Sequence, residues 1–337
     1  MAALPDLSRL PLCTPIGAPL QETDEYAHRS DEDHVSAMAV SAYSFQWDEL
    51  LNARLQERDL GPLLRALFKW PVAYLDQFVD QFIFFAPMRT LHKVQADLAA
   101  NRIRLQRVIH PDETQYIRLD VDGLEDAQVV TLRRDVREQI VEPMAEYGAD
   151  RSVLHATLDF MLRALHRVTE EVGADSPFIG GSTLLYHGSV GSPSPPELVD
   201  GQDSERAQWT RVLNALSHEF VSTSRDVQVA ENFARSGHHY QMLPTTPGGA
   251  RFVFRVELEM HARFIDVDAL LTSINWSQLP KEKEVLLAPG HRFIVQDEEE
   301  VQAPQEWNAS PIWYPRVIAG IPYPGPWQPP PLPELYT

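Results

Sequence analysis

The sequence predicts an α+β protein in which a helical N-terminal part precedes an antiparallel, β-rich part with few helices. Apolar side chains recur every three or four residues through the first half of the chain, which is typical of amphipathic helices. From about Phe178 onward, short apolar runs are separated by turn residues, which favours strands linked by hairpins. Segregation of helices and strands along the chain indicates the α+β class.

Composition narrows the class of protein further. The chain has 337 residues, of which 44% are hydrophobic, enough for about two domains with real cores. Its single cysteine, Cys13, excludes an internal disulfide framework and a cysteine-based zinc site. The net charge of −19 disfavours strong, phosphate-driven binding to nucleic acids.

No stretch of the sequence approaches the ~20 consecutive apolar residues that a membrane span requires. Residues 1–19 also lack the apolar core of a Sec signal peptide. We therefore expect a cytoplasmic protein, or one that enters a host cell by a route without a Sec signal.

Composition and apolar spacing predict the structure of the N-terminal half of the chain. Residues 1–35 are Pro-rich and then acidic, which predicts a disordered leader before a helical domain over residues 36–175. Within that domain Phe78, Phe82 and Phe85 share one helical face, because their spacing matches the helical repeat.

A second helix is predicted between a capping residue and a glycine. Asp150 is a suitable N-cap, and Gly173 is a suitable C-cap. Between them lies an apolar stripe at helical spacing. Its members are Leu154, Leu158, Met161, Leu165, Val168 and Val172.

Residues 176–303 form the predicted β-rich domain, and residues 304–337 form a tail rich in proline and tryptophan. If Gln328–Pro333 is ordered, its prolines impose a polyproline II conformation. This tail either binds an aromatic-lined groove of a partner, packs along its own chain or stays loose. The predicted strands are Thr183–Tyr186, Phe220–Ser224, Arg251–Leu258, Val285–Leu287 and Phe293–Val295.

The common catalytic motifs are absent from the sequence. It contains no Gly-x-Gly-x-x-Gly, P-loop, His-Glu-x-x-His or Gly-x-Ser-x-Gly motif. Three other segments carry residues with chemical potential: Leu184–Ser189, Phe220–Ser224 and Glu282–Gly290.

The residue types in these segments suggest a ligand site. Glu282 and Glu284 lie two residues apart at the start of an apolar strand, so they project to the same face. Like charges on one face cost stability, so such a pair is usually either solvated or functional. Ser222 and Ser224 also share a face, from which their hydroxyls can orient a carboxylate. Gly188, at a predicted strand end, allows a flat ligand to approach the backbone closely.

The order and separations of the three segments resemble the R-S-E class of ADP-ribosyltransferases, which includes arginine-modifying bacterial toxins, effectors and animal ecto-enzymes. The central F-x-S-T-S block and the later E-x-E block before an apolar strand and Pro-Gly carry the resemblance. It covers roughly residues 178–300. It implies an ADP-ribosyltransferase-like β-sandwich that uses NAD as a co-substrate and needs no metal.

The resemblance also implies residue roles. Glu284 corresponds to the catalytic glutamate, Glu282 to the acid that meets an arginine acceptor, and Ser222 to the serine that positions Glu284. Gly188 corresponds to the backbone clamp on the nicotinamide amide. The implied cofactor-binding set is His187, Gly188, Ser189, Ser222, Thr223, Ser224 and Phe233.

One position departs from the R-S-E pattern. The class has an arginine in its first block, where this chain has His187. His-Gly-Ser is instead similar to the poly(ADP-ribose) polymerase and diphtheria-toxin branch, in which the histidine holds the adenine-proximal ribose. A neutral histidine lacks the guanidinium fork that binds phosphates, so the NAD pose is open. A purely structural histidine at the end of a strand is the alternative.

The resulting hypothesis is a mono-ADP-ribosyltransferase that modifies a target protein on an exposed arginine. Two alternatives remain open at this stage. The first is an NAD glycohydrolase, in which water is the acceptor. The second is an inactive NAD-fold interaction module, which the exchange at His187 motivates.

Overall fold

The computed structural model describes residues 21–28, 32–96, 98, 102–109, 115–179, 183–190, 212–236, 251–274, 276, 282–297, 300–301, 312–321 and 327–336. The chain divides into two compact units. The first runs to Val168 and includes Leu271–Trp276 and Pro329–Thr337. The second comprises Thr169–Leu270 and Ser277–Gln328.

The first unit is mainly helical, as predicted. Two π-helical turns, Tyr43–Trp47 and Arg137–Val141, interrupt its helices. The helices are α1 Glu32–Ala42, α2 Asp48–Leu55, α3 Gly61–Leu67, α4 Val72–Phe85, α5 Met88–Val94, α6 Asp126–Val136, α7 Glu142–Met144 and α8 Ser152–Arg167.

Helix α4 confirms the prediction made from its aromatic spacing. Phe78, Phe82 and Phe85 are fully buried on one face of the helix. Pro71 is the N-cap of the helix. The helix ends before Pro87, because proline disfavours helical backbone in the residue before it, here the extended Ala86.

Helix α8 begins near the predicted cap but ends earlier than predicted. The carboxylate of Asp150 accepts a hydrogen bond from the N–H of Ser152 at 2.8 Å. The helix ends at Arg167 and not at Gly173, because Glu170–Glu171 forms strand β4. Val172 therefore belongs to the core of the second unit and not to the helical stripe. Strand pairing overrides the local helical pattern here.

Part of the predicted leader forms a strand. Residues 1–20 lie outside the described residues. Gln21–His28 forms strand β1, which corrects the prediction of disorder for that part. It pairs antiparallel with β2, Ile103–Ile109, which also pairs with β3, Gln115–Val121. A partner strand so distant in sequence leaves no local sign of order in the leader.

The second unit is built on one ten-stranded sheet with the order β10-β13-β7-β5-β6-β9-β8-β4, to which β11 and β12 attach. Among its described residues, the helices are α9 at 212–216, α10 Val227–Ser236 and the first part of α11, Val267–Ser273, whose residues from Leu271 onward belong to the first unit. The remaining strands are β4 Glu170–Glu171, β5 Leu185–Val190, β6 Val221–Ser224, β7 Arg251–Leu258, β8 Arg263–Asp266, β9 Glu284–Leu287, β10 Arg292–Asp297, β11 Glu300–Val301, β12 Ile312–Trp313 and β13 Arg316–Gly320.

This sheet is mixed, and not purely antiparallel as predicted. Strands β12 and β13 both run parallel to β7, whereas the other pairings are antiparallel. Both parallel strands come from the segment predicted as a tail after residue 303. Val317 and Ala319 of β13 are fully buried in the core of the sheet. The high proline content around them hides this short strand in the sequence.

The end of the chain packs along the first unit. The Tyr336 ring stacks on Phe160 with centroids 4.6 Å apart, and its hydroxyl donates to the Phe85 carbonyl at 2.6 Å. Arg163 donates to the Pro330 carbonyl at 2.9 Å. Of the three alternatives for the tail, the structure therefore shows packing along its own chain.

The structure thus combines a helical N-terminal part with a large mixed sheet. Among the described residues, no helix is long and apolar enough to cross a membrane.

Candidate functional site

The sheet brings the three candidate segments side by side. They lie on β5, on β6 and at the start of β9, and β6 pairs with both of the others. Ser224 is opposite Glu284 on one side and opposite Tyr186 on the other. Residues that are far apart in sequence therefore meet on adjacent strands.

Glu284 is a buried carboxylate at the first position of β9. Its side chain is 6% exposed. The Ser222 hydroxyl donates to Glu284 Oε1 at 2.6 Å. The register places Ser222 opposite Leu286, two residues along from Glu284, so both side chains lie on one face. A short hydrogen bond to a carboxylate fixes the orientation of Glu284.

Glu282 lies on the turn before β9, and not on the strand itself. Its backbone carbonyl accepts a hydrogen bond from the Ser224 hydroxyl at 2.6 Å. Lys283, the next residue, has a φ of 50°, which turns the chain sharply between the two acids. Burial, followed by repulsion from Glu284 and Asp268, raises the pKa of Glu282 to about 7. This carboxyl therefore changes charge near neutral pH.

The contacts of the His187 ring include one hydrogen bond and one ring stacking. Its Nδ1 lies 2.7 Å from the carbonyl oxygen of Ser222. A carbonyl can only accept, so Nδ1 carries the proton and Nε2 of the neutral ring is an acceptor. The ring also stacks on Phe254, with centroids 6.2 Å apart and planes at 13°.

The structure explains the need for glycine at position 188 differently from the sequence prediction. It lies inside β5, which continues to Val190, and not at the end of a strand. A Cβ at this position would collide with the Ala230 carbonyl and lie 2.9 Å from the Ala234 nitrogen. Glycine is therefore required because α10 packs directly against the strand.

A shallow cleft lies over these residues; its enclosed volume is about 20 Å³, and its space is about 330 Å³ when the open part is included. The predicted residues that line it are His187, Gly188, Ser222, Thr223, Ser224, Phe233, Glu282 and Glu284. Ser189 is not among them.

Two of the predicted hydroxyls are already committed to the fold. Thr223 Oγ1 donates to the Val285 carbonyl at 2.5 Å across the sheet. Ser224 Oγ donates to Glu282 and accepts from the Asp226 N–H at 2.9 Å. These two residues shape the cleft through the backbone, whereas the Ser222 hydroxyl acts on a side chain.

Three residues that line the cleft were not among the predicted site residues: Tyr186, which lies within the first candidate segment, and Val229 and Ala230. Val229 and Ala230 belong to α10, whose Ala230 and Ala234 are fully buried against the sheet. The small residues at i and i+4 were the available sign that this helix lies close to the strands.

Within the described residues, no group of three or more His, Cys, Asp or Glu side chains is arranged to hold a metal ion. Comparison of the sequence with protein-family models and with curated proteins found no match.

Proposed function

We propose that this protein is an NAD-dependent mono-ADP-ribosyltransferase that transfers ADP-ribose to arginine in a target protein. The observation that carries the proposal is the hydrogen bond from Ser222 to the buried carboxylate of Glu284, at the base of a cleft shared with Glu282. The adjacent positions of β5, β6 and β9 support the ADP-ribosyltransferase-like sandwich that the sequence resemblance implies.

In this proposal Glu284 acts on NAD itself. The bond between the nicotinamide nitrogen and the ribose carbon breaks, and its electron pair leaves with nicotinamide. Positive charge then develops on the ribose, and a carboxylate held in place beforehand stabilises that charge. Ser222 holds Glu284 in one orientation, so little reorganisation is needed during the step.

Glu282 acts on the acceptor. Its ionised carboxylate pairs with the target guanidinium and takes a proton from it as the guanidinium nitrogen bonds to the ribose carbon. Its position on the turn before β9, in the same cleft as Glu284, suits contact with a second substrate.

The cleft must widen to take one end of NAD. Its enclosed volume of about 20 Å³ is far below the ~300–1,000 Å³ typical of ligand pockets, so most of a bound dinucleotide would lie in the open part of the cleft. Nε2 of His187 suits a hydroxyl donor such as a ribose hydroxyl, and not a phosphate. Gly188 and Phe233 supply flat and apolar lining.

A specific observation also favours NAD glycohydrolysis as a second activity of the same cleft. With a pKa of about 7, Glu282 is largely protonated in mildly acidic solution. A protonated carboxyl cannot pair with a guanidinium as a carboxylate does, so water then becomes the acceptor. The inactive interaction module remains the outcome if neither reaction occurs.

The test is to incubate the protein with labelled NAD, with and without a cell lysate, in the presence of EDTA. We expect nicotinamide release in both cases and labelled protein only with lysate. Free ADP-ribose alone would indicate the glycohydrolase, and no product would indicate the interaction module.

Ser222→Ala tests the observation that carries the proposal. The change removes a hydrogen bond to a charged group worth ~1.5–3 kcal/mol, so nicotinamide release falls by roughly 10- to 100-fold. Ser217→Ala is the matched control, because its hydroxyl bonds to the Leu213 carbonyl and does not line the cleft. Equal rates in the two variants would refute the assignment of Ser222.

A further inference from the structure

A lysine separates the two glutamates of the cleft, yet its charge is directed elsewhere. Lys283 lies between Glu282 and Glu284 in the sequence. Its ammonium is 3.2 Å from Asp226 Oδ2, just before α10. The lysine side chain is 55% exposed and the aspartate is 34% exposed.

The position of the Lys283 ammonium determines whether Glu282 is available to a cationic acceptor. A lysine ammonium on a flexible four-carbon stem is a mobile point charge, and the carboxylates of Glu282 and Asp226 both attract it. If the ammonium paired with Glu282, it would occupy the place that a cationic acceptor needs. The pairing with Asp226 keeps it away from that position.

The backbone of the turn is anchored independently of this ion pair. The Arg225 N–H donates to the Lys283 carbonyl at 3.1 Å, and the Ser224 hydroxyl donates to the Glu282 carbonyl at 2.6 Å. Removal of the ion pair therefore releases the lysine side chain while the turn itself stays attached to β6.

The two oxygens of Asp226 have separate roles, which allows a clean substitution. Oδ1 accepts the N–H of Gln228 at 3.0 Å in the first turn of α10, whereas Oδ2 contacts Lys283. Asparagine caps helices as well as aspartate does. Asp226→Asn therefore keeps the cap and loses only the charge that holds the lysine.

We propose that Asp226 is a positioning residue that holds Lys283 away from Glu282 and so keeps the cleft selective for a cationic acceptor. The inference rests on the proposed function for its acceptor, but the position of the lysine can be measured without any activity.

The experiment compares the wild-type protein with Asp226→Asn, Lys283→Met and the double variant. The acceptor is a small guanidino compound, arginine methyl ester, with labelled NAD as donor. We expect Asp226→Asn to raise the KM for the acceptor about fivefold, the size of effect expected for a partly exposed ion pair. Lys283→Met and the double variant have wild-type KM values, because neither contains the competing ammonium.

Nicotinamide release without acceptor stays at the wild-type rate in all of these variants, since neither Asp226 nor Lys283 is among the residues that line the cleft. A wild-type acceptor KM in Asp226→Asn overturns the inference. So does a raised KM in the double variant, because the effect would then not pass through Lys283.

A second measurement follows the titration of the Glu282 carboxyl by carbon-13 NMR, with its signal assigned by its loss in Glu282→Gln. The released ammonium lowers the pKa of Glu282 in Asp226→Asn, and the double variant restores it. An unchanged titration in Asp226→Asn overturns the inference whether or not the protein is active. Absence of both nicotinamide release and transfer in the wild type refutes the proposed function instead.

Discussion

Asp80 in the first unit and Glu284 in the second are both buried carboxylates, but their surroundings differ. Asp80 is fully buried and receives two hydrogen bonds from the Arg133 guanidinium, at 2.7 and 2.8 Å. Glu284 is 6% exposed, lines a cleft and accepts a hydrogen bond from the neutral Ser222 hydroxyl.

The difference supports a structural role for Asp80 and, under the proposed function, a catalytic role for Glu284. A bidentate guanidinium occupies both oxygens of Asp80 and compensates its charge within the fold. A hydroxyl orients Glu284 while leaving its negative charge directed to the cleft, where a developing positive charge can use it. We therefore expect substitution of the first residue to affect stability and substitution of the second to affect chemistry.

The largest expected effect is on stability, from Asp80→Asn. The change removes the buried carboxylate that pairs with Arg133 through two hydrogen bonds, which costs ~3–5 kcal/mol. The measurement is the free energy of unfolding in urea. Asp80→Leu combined with Arg133→Met should recover most of the loss, because an apolar pair needs no charge compensation. Wild-type stability of Asp80→Asn would show that the pair is not structural.

Glu284→Gln should lower activity and leave stability intact, the opposite of Asp80→Asn. It keeps the shape of the side chain but removes the charge, so the barrier to nicotinamide release rises by ~3–4 kcal/mol, several hundredfold in rate. Its free energy of unfolding should equal or exceed that of the wild type, because a buried charge is removed. Full nicotinamide release by this variant would refute the assignment of the catalytic acid.

Glu282→Gln should divide the two reactions of the cleft. Transfer to arginine falls by roughly 10- to 100-fold, because a charged hydrogen bond to the guanidinium worth ~1.5–3 kcal/mol is lost. Nicotinamide release without acceptor stays near the wild-type rate, since water needs no pairing acid. Equal loss in both assays would contradict the division of roles between the glutamates.

The pKa of Glu282 predicts a pH dependence. This pKa is raised from 4.5 to about 7, so the rate of transfer rises about tenfold per pH unit below pH 7 and then levels off, whereas the rate of hydrolysis does not depend on this ionisation.

The same pKa shift affects stability. Because the pKa of Glu282 is higher in the folded state than in the unfolded state, the protein loses stability as the pH rises from 4.5 through 7. Glu282→Gln should therefore raise the melting temperature at pH 8 and not at pH 4. The same increment at both pH values would contradict the shift.

The smallest expected effect is that of His187→Ala on NAD binding. Loss of one neutral hydrogen bond costs ~0.5–1.5 kcal/mol, so the KM for NAD rises roughly two- to tenfold. His187→Gln is the comparison, because its amide also offers one acceptor. An unchanged KM in His187→Ala would favour the structural alternative, in which the histidine only bonds to Ser222.

The sequence by itself determined the features that depend on neighbouring residues. The helical N-terminal part, the helix around Phe78 and Phe82, and the strand Arg251–Leu258 follow from apolar periodicity, because the apolar residues of each element face the core. The spacing of Glu282, Glu284 and the S-T-S block also identified residues that line the cleft in the structure.

Only the tertiary structure decided the features that depend on distant partners. Strand β1 exists because β2 pairs with it, and Val172 leaves the helical stripe because β4 pairs with β8. Gly188 is needed for the approach of α10, and Asp226 meets Lys283 because β6 lies next to β9. Hydrogen bonds and close contacts between segments far apart in sequence leave no periodic pattern along the chain, so local reasoning cannot find them.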